Sequence, residues 1–167
     1  MSYLLSILKP DYAISLNVSP THTEQFEKTL KEKRAKNISE EQKLPYLLQR
    51  IAQEDTKIIT ESGCKVGIYN ADDIYIKTQI DEYLILHRNT TLLSFGKSPR
   101  NDISYAGYKV TLEGTHFSFL VQSDTIHEKI TLFLSGYVLP KEYQEVIAAS
   151  LLIGWQLGLS KQQLKAA

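Results

Sequence analysis

The sequence predicts an α+β fold: an antiparallel β-meander of about six to seven strands, following an N-terminal strand and two helices and packed against a long C-terminal helix. Three observations lead there. Tyr105–Gln122 reads as a β-hairpin with one dry face, the segment from Cys64 onward breaks into short alternating runs separated by turn residues, and Lys141–Leu157 is apolar nearly all round.

The hairpin is the firmest of these. Gly114-Thr115 offers a two-residue turn with glycine in its first central position. Pairing outward from it sets Leu112 against Phe117, Val110 against Phe119 and Tyr108 against Val121, so one face is apolar through three successive pairs. A slip of one residue would turn that face to water, which makes the buried side well specified.

The elements before it follow from simpler signals. Asp11–Ser19 alternates Tyr12, Ile14, Leu16 and Val18 with small or polar residues, the pattern of a half-buried first strand that Pro20 stops. Thr21 and Glu24 have capping-box spacing for a helix to about Lys36, whose basic end (Lys28, Lys31, Lys33, Arg34, Lys36) suits a helix C-terminus. Ser39 and Gln42 form a second capping box, Pro45 falls within the first turns, and Gly63 is placed to end this helix in the left-handed conformation. Thr56–Thr60 is read as part of it, against a rival strand paired with Cys64–Asn70.

From there the expected strands are Val66–Asn70, Asp73–Thr78, Tyr83–Arg88 and Thr91–Phe95, then a loop Gly96–Asp102 and the hairpin. A four-residue connection, Asp124–His127, would set Val121 opposite Ile130, Phe119 opposite Leu132 and Phe117 opposite Leu134, carrying the dry face across a third strand. Pro140 suits the first position of the final helix. Within that helix, Gly154 is read as a site of close packing and Gly158 as its stop, with Ser160 and Gln163 capping a short last helix.

The chain has 167 residues, enough for one domain (1–167) to bury a core without disulfides or metal. Lysine and arginine total 19, as do aspartate and glutamate, so there is no general attraction for nucleic acid. Cys64 is the single cysteine, which excludes an internal disulfide and a thiolate metal cluster. Met1–Leu8 lacks the positive leader of a secretory signal, and the apolar run Val146–Leu159 is too short to span a bilayer. A cytoplasmic location is the expectation.

Chemistry is harder to find. Gly96-Lys97-Ser98 resembles the end of a phosphate-binding loop, but the position of its first glycine is Thr91 and Pro99 would spoil the helix start. Glu113 and His116 face each other across the expected turn, as an acid/base pair or, more plainly, an exposed cross-strand ion pair. His22, His87 and His127 have no metal-ligand spacing, and Asp72-Asp73 and Asp81-Glu82 read as turn residues. No nucleophile elbow or dinucleotide fingerprint is present, and no cofactor is implied.

What remains is surface. Lys97 and Arg100 form an exposed cationic loop, and Leu120, Phe133 and Tyr137 interrupt an otherwise polar face of the hairpin sheet. These five are the candidate partner-binding residues. The element order is similar to the helix-grip architecture from about Tyr12 to Ala167, without any family motif. The expected function is therefore a non-catalytic, cytoplasmic protein-binding module: an adaptor, a chaperone-like subunit or an inhibitor. Its partner would be another protein or a second copy of the chain. The alternative is a carrier of a small hydrophobic ligand in a helix-grip cavity. An enzyme ranks third, with the tyrosines, His116 and Glu113 as its only candidates.

Overall fold

The computed structural model describes residues 2–22, 38–86, 90–123 and 126–166. Among the described residues, six strands are hydrogen-bonded in the order β1-β2-β3-β4-β5-β6. By packing, the chain divides into two compact units: residues 1–67 with 73–91, and residues 68–72 with 92–167. Among the described residues no helix is long and apolar enough to cross a membrane.

The first unit holds helix α1 (Ser2–Ile7), strand β1 (Tyr12–Ser15), a 3-10 turn at Pro20–His22, helix α2 (Glu40–Asp55), the short helix α3 (Lys57–Thr60), the start of β2 (Val66–Asn70) and helix α4 (Ile74–Leu86). The expected helix from Thr21 to Lys36 falls, beyond His22, outside the described residues. Strand β1 is shorter than its alternation suggested, and it buries Ala13 and Ser15 more deeply than Tyr12 and Ile14. Small residues go to the tighter side of this strand, so its alternation is one of size rather than of polarity. At the second helix the Ser39 amide donates to Gln42 Oε1 at 3.4 Å. Thr56 separates α2 from α3, its hydroxyl donating to the Ala52 carbonyl at 2.7 Å, so Thr56–Thr60 is helical and not a strand. Gly63 follows with φ +72°, as a helix stop requires.

Helix α4 is the main correction to the predicted meander. Asp73–Thr78 and Tyr83–Arg88 were expected as strands; Ile74–Leu86 is instead a helix. Its cause lies at Asp73, whose Oδ1 accepts from the amides of Tyr75 at 2.9 Å and Ile76 at 3.0 Å, the second and third residues of the helix. Oδ2 of the same carboxylate takes the Val18 amide at 2.7 Å. Ile76 and Ile80, one turn apart, are fully buried, which is the helical period hidden in a β-branched stretch.

The second unit contains the end of β2, β3 (Thr91–Gly96), β4 (Ile103–Thr111), β5 (Gly114–Ser123), β6 (Ile126–Ser135), α5 (Tyr143–Gln156) and α6 (Lys161–Ala166). The sheet is mixed. Thr91 N donates to the Lys65 carbonyl at 3.0 Å and Ala71 N to the Phe95 carbonyl at 2.9 Å, so numbers rise together along β2 and β3 and the pair is parallel. β3 and β4 are also parallel, with Phe95 beside Ile103, whereas β4, β5 and β6 are antiparallel. Four of the five β2 residues are buried, the near-continuous burial of a strand covered on both faces. The expected long C-terminal helix is shorter, 14 residues in α5, while the expected stop at Gly158 (φ +81°) is present and is followed by the six-residue α6.

The dry face of the hairpin is present in a different register. Thr111 pairs with Gly114, Val110 with Thr115 and Tyr108 with Phe117, so the turn is Leu112-Glu113 and not Gly114-Thr115. The shift from the expected pairing is even, which keeps Tyr108, Val110, Phe117 and Phe119 on one side. β6 likewise sets Phe117 against Leu132 and Phe119 against Ile130. Gly114 is needed for another reason, since a Cβ there would lie 2.2 Å from the Leu134 carbonyl oxygen and its φ of +150° disfavours any side chain. Gly154 packs closely in α5, where a Cβ would come 2.5 Å from Leu164 Cδ2 of α6, a side-chain end that could shift aside. Phe95, Ile103, Phe117, Phe119 and Ile130 are fully buried and form the centre of this unit.

Candidate functional site

The carboxyl ends of parallel β2 and β3 lie at one end of the sheet, the position at which parallel sheets present their loops to ligands. In the second unit these loops are tied together by short polar side chains. Asn70 Oδ1 accepts from Asp72 N at 2.9 Å, turning the chain as β2 ends. The Asp72 carboxylate reaches across to the loop after β3 and accepts from Lys97 N at 2.9 Å (Oδ1) and 3.0 Å (Oδ2). Gly96 makes this approach feasible. It has φ +153°, and a Cβ would stand 2.6 Å from Asp72 Oδ1 and 2.8 Å from Asn101 Nδ2.

The loop 97–102 then turns back on itself. Asp102 Oδ2 accepts from Ser94 N at 2.7 Å and from Ser94 Oγ at 3.0 Å, which brings the start of β4 beside the end of β3. Asn101 is 6% exposed and its Nδ2 has no hydrogen-bond partner, an orphan donor of the kind structures retain at functional sites.

Beside this loop is a cavity of about 300 Å³, lined by Tyr105–Tyr108 of β4 together with Lys97, Lys141 and Gln144. Gln144, buried at the start of α5, donates Nε2 to the Gly107 carbonyl at 3.3 Å. The Tyr108 hydroxyl donates to the Leu139 carbonyl at 2.7 Å. The Tyr105 hydroxyl is buried without a partner; burial, then the charges of Glu145 and Asp72, push its pKa well above the ordinary tyrosine value. It stays protonated at physiological pH and is available only as a donor or neutral acceptor. In the first unit the Cys64 thiol is buried and its pKa raised by burial, so it is a poor nucleophile. Among the described residues no group of three or more His, Cys, Asp or Glu could hold a metal ion.

The five residues picked from sequence are not gathered into one site. Lys97 lies on the cavity rim and Arg100 is exposed in the same loop. Leu120 (37% exposed) and Phe133 (44% exposed) sit on the outer face of the β5–β6 pair, where Phe133 stacks on His116 at 4.3 Å. Tyr137 lies past the end of β6, its carbonyl accepting from Thr115 Oγ1 at 2.7 Å. The expected Glu113–His116 pairing is absent because Glu113 belongs to the turn and His116 stands opposite Lys109 and Phe133. Sequence reasoning treated Asn70, Asp72, Asn101 and Tyr105 as turn or strand residues. The adjacent acids after an Asn at a strand end were the one signal that a strand-to-helix loop lay there.

No protein-family model and no curated protein matches the chain. Solved structures do. MurF ligase from Thermotoga maritima in complex with ADP superposes with a TM-score of 0.64 at 20% identity, over 99% of this chain and 32% of that one. MurF from Acinetobacter baumannii gives 0.63 at 16%, over 98% and 29%. A UDP-N-acetylmuramoyl-L-alanyl-D-glutamate–2,6-diaminopimelate ligase gives 0.59 at 17%, over 97% and 28%. The likeness is one of fold. It extends over nearly all of this chain and less than a third of each ligase.

This finding overturns the functional expectation. A non-catalytic adaptor, chaperone-like or inhibitor module has no counterpart among these neighbours, which are ligases. The helix-grip carrier fails with it, because its antiparallel wrap is replaced by a sheet that is parallel at β2, β3 and the start of β4. The expectation rested on the absence of a local catalytic constellation, whereas the polar side chains that the fold gathers at the ends of β2 and β3 come from loops far apart in sequence.

Proposed function

We propose that this chain forms part of an ATP-dependent ligase of the Mur type, and that its second unit contributes to the nucleotide site. The superposition over 99% of the chain on a ligase that holds ADP carries the reading. The strand-end loops support it: Asn70, Asp72, Gly96 and Asn101 sit where parallel sheets bind ligands, and Asn101 keeps an unused buried donor. A ligase that carries ADP is one that couples bond formation to ATP cleavage. The neighbours' names suggest a UDP-linked muramoyl peptide and an amino acid or dipeptide as the joined substrates. The 167 residues hold no G-x-x-x-x-G-K-S/T loop, so a phosphate cradle of that type is not supplied by this stretch. The reading retains a cytoplasmic location, where adenine nucleotide is abundant.

Calorimetric titration of the full chain with ADP tests it. Saturable binding that is weakened about tenfold by Asn101→Leu, which removes the free amide at similar volume, supports the proposal. No heat of binding at millimolar ADP, with the protein shown to be folded, overturns the nucleotide role.

A further inference from the structure

The cavity at β4 has a construction that the nucleotide reading does not require. The β4–β5 register shifts between Tyr105 and Gly107, so Ala106 is an extra residue in the strand. A regular strand alternates its side chains between two faces, yet Tyr105, Ala106, Gly107 and Tyr108 all line one cavity. The bulge forms one wall of this space, and Gln144 donates to the Gly107 carbonyl from α5. The tyrosine rings are held in place, Tyr105 edge-on to Phe119 at 6.3 Å and Tyr108 tilted on Phe117 at 5.4 Å.

Among the described residues, two lysines are the only charged residues on the lining, and neither is in an ion pair. Lys97 is not a free loop residue: its amide is fixed by the Asp72 carboxylate, next to a glycine that cannot take a side chain. The nearby acids, Glu145 and Asp72, do not line the cavity, and Asp72 is already engaged. Two lysines outside any ion pair at a recess lined by two tyrosines are suited to one kind of guest.

We propose that the β4 bulge cavity binds the oxyanion group, phosphate or carboxylate, of a small ligand between Lys97 and Lys141, with its body against Tyr105 and Tyr108. Lysine recognises such groups as a point charge, without the planar geometry an arginine would demand. The proposal rests on the second unit alone and stands whether or not the chain binds ADP.

Amide NMR of the full chain, titrated with sodium phosphate against sodium chloride at matched ionic strength, is the test. The expected result is a saturable shift centred on Lys97, Gly107, Lys141 and Gln144. Lys97→Ala and Lys141→Ala should each weaken it about tenfold, since each removes one charge-assisted contact. Both lysines are exposed, so the variants should keep the parent's melting temperature. Competition separates the sources: displacement by ADP assigns the oxyanion to a nucleotide, and displacement by acetate but not ADP assigns it to a free carboxylate. A shift that is absent at about 50 mM phosphate, or that persists unchanged in the Lys97→Ala/Lys141→Ala double variant, overturns the site.

Discussion

Two stretches of this chain share a composition of β-branched and aromatic residues and fold in opposite ways. Ile74–Leu86 is a helix, and Gly114–Ser123 and Ile126–Ser135 are a pair of antiparallel strands. The helix is decided just before its first residue, where Asp73 satisfies two amides that a strand would have left for a neighbour. The strands are decided by long-range pairing, in which Phe117 and Phe119 find Leu132 and Ile130. Propensity is similar in the two; a side-chain cap wins in one and cross-strand burial in the other.

The comparison can be broken most severely at Gly114. Gly114→Ala places a Cβ 2.2 Å from a backbone oxygen at a φ of +150°, so the strands must part. A loss of about 4 kcal/mol is expected, read as a lower urea midpoint of the full chain. Next is Ile80→Ala, which empties a fully buried position on α4 and should cost about 3 kcal/mol by the same measurement. Asp73→Ala removes the cap and the contact to Val18; about 1.5 kcal/mol of stability and some helical circular dichroism should go with it. Smallest is Leu112→Lys at the hairpin tip, a fully exposed position. A change within about 0.5 kcal/mol would confirm that the turn is Leu112-Glu113, since a leucine in the dry face would cost several times more.

Acidity adds a weaker probe. Glu54 is held below the ordinary carboxylate pKa by its hydrogen bond to Lys57 at 2.6 Å. A lowered folded-state pKa stabilises above the unfolded value and is lost as pH falls through the folded one. Both side chains keep contact with solvent, which screens the pair, so Lys57→Ala should flatten the acid limb of the stability curve by only a few tenths of a kcal/mol.

The strand-end site shows why function was less legible than fold. Gly96, Lys97 and Asn101 come from one loop and Asn70 and Asp72 from another, 24 residues earlier at the nearest pair. No local spacing announces that Asp72 will accept from Lys97 N. Lys97 stands out in the sequence for its charge and does lie on the cavity rim, but Leu120, Phe133 and Tyr137 belong to other surfaces.

By itself the sequence determined the local devices: the helix breaks at Gly63 and Gly158, the Ser160–Gln163 cap, and the dry face of the hairpin, whose parity survives an even slip. Each depends on backbone conformation or side-chain alternation within a few residues. Tertiary structure alone decided the hairpin register, the parallel run of β2 with β3 and the bulge in the wall of the Lys97–Lys141 cavity. Those depend on which distant backbone a segment meets, and a strand pairing or a strand-end knot has no energy until its far partner is in place.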